Sequence, residues 1–173
     1  MRIPSSVTGL LLYGLIFGCA PTIPPVTPPE SYKGPVAEQP VVRPGEYWVY
    51  QTGSLNKGKT TALPANLGFP LWLGKTWSYE GESLPIGRSG PTSKAFKIAT
   101  RTTCVVTAFK QVTVTAGTFD AFECECSCSS IENYDRGCGQ MTIWYAPDVK
   151  NILKRKTDSS GSTIELIQYK ASR

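Results

Sequence analysis

Val112-Thr113-Val114-Thr115-Ala116-Gly117-Thr118-Phe119-Asp120-Ala121-Phe122-Glu123-Cys124-Glu125-Cys126-Ser127-Cys128 is the stretch on which the fold turns. β-Branched and aromatic residues flank Thr115-Ala116-Gly117-Thr118, where Gly117 is free to take positive φ, so the segment reads as a β-hairpin. Along the second arm, residues two apart share a face. Phe122, Cys124, Cys126 and Cys128 line one face, and Ala121, Glu123, Glu125 and Ser127 the other. Phe122 marks the cysteine face as the buried one. Both glutamates then point to solvent, which makes them poor candidates for paired acid–base catalysis.

Outward from this hairpin the chain repeats short β-prone runs between Gly, Ser, Thr, Asn and Asp. They are Tyr47 to Tyr50, Gly68 to Gly74 leading into Thr76 to Tyr79, Ala95 to Thr107, Gln111 to Thr115, Phe119 to Ser129, Gln140 to Ala146, Asn151 to Lys156 and Thr163 to Lys170. Asp158 to Gly161 is a second turn, and a longer polar loop lies between Ser130 and Gly139. No stretch sustains the i, i+3, i+4, i+7 spacing of a helix. The expectation is an all-β domain over residues 42–173, an antiparallel meander forming one curved sheet or a partly closed barrel.

The N-terminal segment has another character. Met1-Arg2 supplies a positive start, and Val7 to Phe17 is an apolar run too short to span a bilayer, which takes ~20 residues. It fits a secretory signal over residues 1–18. The run ends in Ile16-Phe17-Gly18-Cys19, which resembles the bacterial lipobox: a branched apolar residue stands three before the cysteine and a small one directly before it. Cys19 is therefore the candidate lipidation site. An aspartate after the lipidated cysteine is the familiar inner-membrane retention signal. Ala20 stands there, so the expected location is the outer membrane facing the periplasm. Residues 19–41 read as a tether, with Pro21, Pro24, Pro25, Pro28, Pro29, Pro35 and Pro40 favouring an extended polyproline II spacer at ~3.1 Å per residue.

Removing the first 18 of 173 residues leaves 155, enough for one domain with a core. The mature chain keeps 17 Lys and Arg against 13 Asp and Glu. That mild excess, with no basic run longer than Lys154-Arg155-Lys156, does not describe a nucleic-acid binder. Histidine is absent, which removes the Ser-His-Asp and Cys-His arrangements and the His-bearing zinc sites. No nucleophile–base pair can be named, so the expectation is a non-enzymatic domain.

Three motifs in order resemble a known family. Phe69-Pro70-Leu71, Gly74, Trp77 and Tyr79 come first, then Val114 to Phe122, then Trp144-Tyr145-Ala146-Pro147-Asp148-Val149, with Ile164 to Tyr169 closing the chain. The pattern is similar to the TapB-like bacterial cell-envelope domains, a family of largely unknown function. The resemblance spans most of residues 42–170. It implies a β-rich envelope domain and no particular activity. Two features depart from the family pattern: Lys150-Asn151 stands where a glycine usually follows the valine, and the cysteines have no counterpart in it.

Cys104 and Cys138 flank the Cys124-Glu125-Cys126-Ser127-Cys128 run, and three readings of the cluster compete. In an oxidising compartment the cysteines form structural disulfides. Neighbours two apart on one strand seldom bridge, so partners come from adjacent strands. A turn near Gly117 sets Cys104 opposite about residues 128 to 130, which makes Cys104–Cys128 the expected pair. Cys138 then reaches Cys126 or Cys128, and at least one thiol stays unpaired. Alternatively Cys104, Cys124, Cys126, Cys128 and Cys138 hold zinc or copper as thiolates, although the C-x-x-C knuckle of structural zinc sites is missing. The third reading is thiol–disulfide exchange through the odd cysteine. Outside the cluster, Trp48, Trp72, Trp77, Trp144, Tyr47, Tyr50, Tyr79 and Tyr145 fill a core or line a cleft for an apolar or glycan ligand. The reading that follows is a bilayer-anchored lipoprotein whose β domain supports an envelope assembly or binds a ligand or partner. No cofactor is expected beyond the lipid on Cys19, and the alternative is a metal-binding or thiol-redox module.

Overall fold

The computed structural model describes residues 27–53, 56–61, 66–83, 98–131, 138–158 and 160–172. Cys19, the signal segment 1–18, the first part of the tether and most of the 130–139 loop lie outside the described residues.

Ten strands make up the described fold: β1 (Val36–Ala37), β2 (Tyr47–Thr52), β3 (Asn56–Thr60), β4 (Leu71–Trp72), β5 (Thr76–Ser83), β6 (Ile98–Val114), β7 (Gly117–Ser130), β8 (Gly139–Ala146), β9 (Asn151–Thr157) and β10 (Ser162–Lys170). Eight form one antiparallel sheet in the order β3-β2-β10-β9-β8-β7-β6-β5, and β1 and β4 pair separately. The predicted meander therefore runs from β5 to β10. The sheet is not closed: β2 and β3 add to its far side beyond β10, so the N-terminal hairpin sits against the C-terminal strand.

Two details differ from the sequence reading. Within the described residues, the runs expected over Ala95 to Thr107 and Gln111 to Thr115 join in one 17-residue strand, β6, from Ile98, because a bulge between Val106 and Ala108 absorbs an extra residue without breaking the ladder. Packing against the domain also starts before residue 42. Val36 and Ala37 pair with Trp72 and Leu71, Ala37 is buried, and Tyr32 Oη donates to Pro35 O while accepting from Leu73 N. A two-residue edge strand between Pro35 and Pro40 suits residues that cannot continue a ladder.

The sheet carries a core on each face. On one, Leu71 and Ala37 cover Cys104, Val106, Phe122, Cys124, Cys126, Ile143 and Tyr145. On the other, Trp48, Val114, Ala121, Ala146, Val149, Leu153 and Leu166 pack together. Among the described residues no separate layer covers this second face, because the sheet curls over it. The tip of the β6–β7 hairpin crosses to β10, where Ala116 N donates to Leu166 O at 3.2 Å and Thr115 N to Glu165 Oε1 at 2.7 Å. Trp48 is fully buried at the centre, its Nε1 donating to Val149 O at 2.8 Å. Burying an indole of ~150–250 Å² is worth on the order of 4–6 kcal/mol.

Candidate functional site

Pairing along β6 and β7 decides the cysteine chemistry. Val114 lies opposite Gly117, whose φ of 139° lies outside what L side chains favour. Continued one-to-one from that pair, the ladder would set Cys104 opposite Ser127. Thr107 is the extra residue of the bulge and moves the register by one, so Val106 faces Cys124 and Cys104 faces Cys126. The expected Cys104–Cys128 bridge is thus corrected to Cys104–Cys126, with Cα atoms 4.0 Å apart. Cys128 is left for Cys138, one of the two partners expected for it, across a Cα separation of 5.1 Å. The bridges tie β6 to β7, and β7 to the residue that precedes β8.

Cys124 is the unpaired thiol. It is fully buried between Val106 and Ile143. Burial, with the Glu123 charge adding to it, pushes the thiol up to about 12. A group so disposed is a small hydrophobe rather than a nucleophile. Among the described residues, no group of three or more Cys, Asp or Glu side chains is placed to hold a metal ion.

The glutamates split. Glu125 is exposed as expected, but Glu123 is not free in solvent: its carboxylate accepts from Trp144 Nε1 and pairs with Lys110 Nζ, both at 2.6 Å. Burial alone would raise its pKa, yet donation from Lys110 and Trp144 leaves it below the ordinary value. Strand register sets these partners: Trp144 lies directly opposite Glu123 on β8, and Lys110, opposite Ala121 on β6, reaches it diagonally, neither of which alternation along β7 alone reveals. Farther along these strands, Thr103, Glu125, Ser127 and Thr142, together with the apolar Val105 and Met141, line a pocket of about 440 Å³.

A second group of residues, to which the sequence reading assigned no common site, meets at the mouth of the curl. Phe119, Pro147, Asp148, Lys150, Tyr169 and Ser172 line a cleft of about 630 Å³. The Phe119 and Tyr169 rings meet edge to face with centroids 5.7 Å apart. Beside them lies Glu46, a carboxylate only 4% exposed. Its oxygens accept from Arg43 N at 2.8 Å, Ser172 N at 2.7 Å, the Ser172 hydroxyl, and Lys150 Nζ at 3.0 Å. The Ser172 hydroxyl, then the Arg43 and Ser172 amides, hold the carboxyl down at about 2.

Lys150 has φ of 59°, a left-handed conformation that costs a residue with a side chain ~1–2 kcal/mol. Its N–H closes the turn onto Pro147 O at 3.0 Å and its ammonium reaches Glu46 and Ser172. A lysine is thus held where the resemblance leads one to expect glycine. That departure, with Phe119, Pro147, Asp148 and Tyr169 all inside the motifs of the resemblance, was the signal in the sequence nearest this cleft. The rest of the site joins positions more than a hundred residues apart, Glu46 with Lys150 and Ser172.

The aromatic residues divide between packing and exposure. Trp48 and Tyr145 are core, Tyr50 Oη donates to Ile152 O at 2.8 Å, and Trp77 Nε1 donates to Asn66 O at 2.8 Å. The cleft rings Phe119 and Tyr169 are not among those the sequence singled out. Compared with protein-family models, curated proteins and solved structures, the chain has no match.

Proposed function

We propose that the chain is an exported, lipid-anchored module of the bacterial envelope, held to the outer membrane through Cys19. Its β domain supports an assembly or binds a ligand or partner and carries out no catalysis. The observation that carries this reading is the pair of disulfides, Cys104–Cys126 and Cys128–Cys138, since such bridges form and persist in oxidising compartments. The signal-like run and the Ile16-to-Cys19 segment point the same way. The docked strap of residues 32–37 adds a short path from the proline-rich tether to the domain.

The test is metabolic labelling of the full chain with radioactive palmitate in a Gram-negative host, followed by membrane fractionation. The expected result is labelled protein in the outer-membrane fraction, with both label and sorting lost in Cys19→Ser. Soluble, unlabelled wild-type protein would overturn the reading.

The thiol-redox alternative draws on one observation: Cys124 lies two residues from the bridged Cys126 on the same strand face. Its raised pKa leaves little thiolate, so the staple reading is preferred. The zinc or copper alternative requires the reduced chain, because bridged cysteines carry no thiolate to donate. Native and denatured mass spectrometry separates the three. A denatured mass lower by two hydrogens per bridge, with no bound metal, favours the staple. A full-thiol mass with metal retained in the native spectrum would make the cysteines the site.

A further inference from the structure

We propose that the cleft at the mouth of the curled sheet binds a short saccharide, with one ring of the edge-to-face Phe119–Tyr169 pair against a sugar face and Asp148 and Lys150 on its hydroxyls. The inference rests on the non-enzymatic binding reading above and names its ligand class. A cleft of about 630 Å³ falls in the size range of small-ligand sites, which combine apolar walls with a few placed polar groups. Here the walls are two aromatic rings and the Pro147 ring, the kind of surface that the C–H face of a pyranose covers.

The polar groups narrow the class. Asp148 is exposed and makes no hydrogen bond or ion pair among the described residues, so its carboxylate is open to accept from neighbouring hydroxyls. Lys150 uses two of its ammonium donors, on Glu46 and Ser172, and the third remains for a ligand oxygen. An acceptor and a donor lining one cleft match the hydroxyls of a sugar, which both donate and accept. An anionic ligand would meet the Asp148 carboxylate, and the Lys150 ammonium in the cleft is already paired with Glu46. A purely apolar ligand would strip water from Asp148 and leave it unpaired. Glu46 also holds the Lys150 ammonium in position before any ligand arrives, which reduces the ordering needed on binding.

The test uses the full chain, purified from membranes in a detergent without a sugar headgroup. It is titrated calorimetrically with N-acetylchitotriose, cellotriose and inorganic phosphate. Saturable binding of at least one saccharide and none of phosphate is expected. Asp148→Asn, which touches no bond of the fold, should weaken that binding by about tenfold, the effect of losing one charge-assisted hydrogen bond, while leaving thermal unfolding unchanged. No binding of either saccharide, preferential binding of phosphate, or an unchanged affinity in Asp148→Asn would overturn the proposal. Palmitate labelling reads the anchor independently. A labelled, correctly sorted protein that ignores both saccharides would therefore remove the cleft assignment and leave the anchored-module reading intact.

Discussion

The two faces of the sheet reach a dry interior by different means. The curled face fills itself: Trp48, Leu153 and Leu166 are large, fully buried and supplied by strands of the sheet, and the β6–β7 tip closes over them. The other face depends on a thin cover, the β1–β4 pair and residues 67–71, and puts three cysteines among its buried side chains. A cover of two-residue strands buries little apolar area, and cross-links can stand in for a missing layer in a small exported domain. The comparison teaches that the cysteines mark the thinly covered core, while the ligand-sized cleft opens at the end of the well-filled one.

The largest expected effect tests the curled core. Trp48→Ala should lose about 3–5 kcal/mol of unfolding free energy by denaturant titration, because it empties the centre and leaves Val149 O without its donor. A loss under about 1 kcal/mol, the size of an ordinary surface change, would mean the curl is not held by this residue.

Removing the staples comes next. Cys104→Ala with Cys126→Ala, which opens a separation of 22 residues, should cost about 3 kcal/mol, and Cys128→Ala with Cys138→Ala, at 10 residues, somewhat less. Hydrogen exchange should accelerate along β6 and β7 in both variants while β2 and β10 keep their protection. Equal acceleration on both sides of the sheet would show the cores to be one cooperative unit.

Acid should act on the cleft end. Glu46 has its folded-state carboxyl pKa lowered to about 2 from an ordinary 4.5. Its contribution is therefore present above pH 4.5 and is lost as pH falls from there toward 2. Melting temperature should decline across that window, and Glu46→Gln should flatten part of the decline. Glu123, also held below its ordinary value, supplies another part. The smallest effect is a null one: Cys124 should resist alkylation at pH 8 in the folded protein and react once denatured.

Much of this was legible along the chain. The alternation of β7 placed Phe122, Cys124 and Cys126 on one buried face, and the Gly117 turn located the β6–β7 hairpin. Strand β3 was not legible, because Asn56-Lys57-Gly58-Lys59-Thr60 lacks apolar alternation and pairs only because β2 lies alongside it. The bridge partner of Cys104 was missed by two residues. The turn lies between Val114 and Gly117 rather than centred on Gly117, which sets Cys104 opposite Ser127, and Thr107, which carries no local mark of its extra place in the ladder, moves it one further to Cys126.

The residues alone gave an all-β antiparallel domain, an odd cysteine that any bridging must leave over, and the burial of Phe122, Cys124 and Cys126 on one face of β7. These follow from side-chain period and residue count, which are local. Tertiary structure alone decided that the sheet curls onto its own face and that Glu46, Lys150 and Ser172 meet beside two aromatic rings. Those meetings depend on the summed twist and bulges of several strands. Such sums bring together residues more than a hundred positions apart, and no window of sequence contains them.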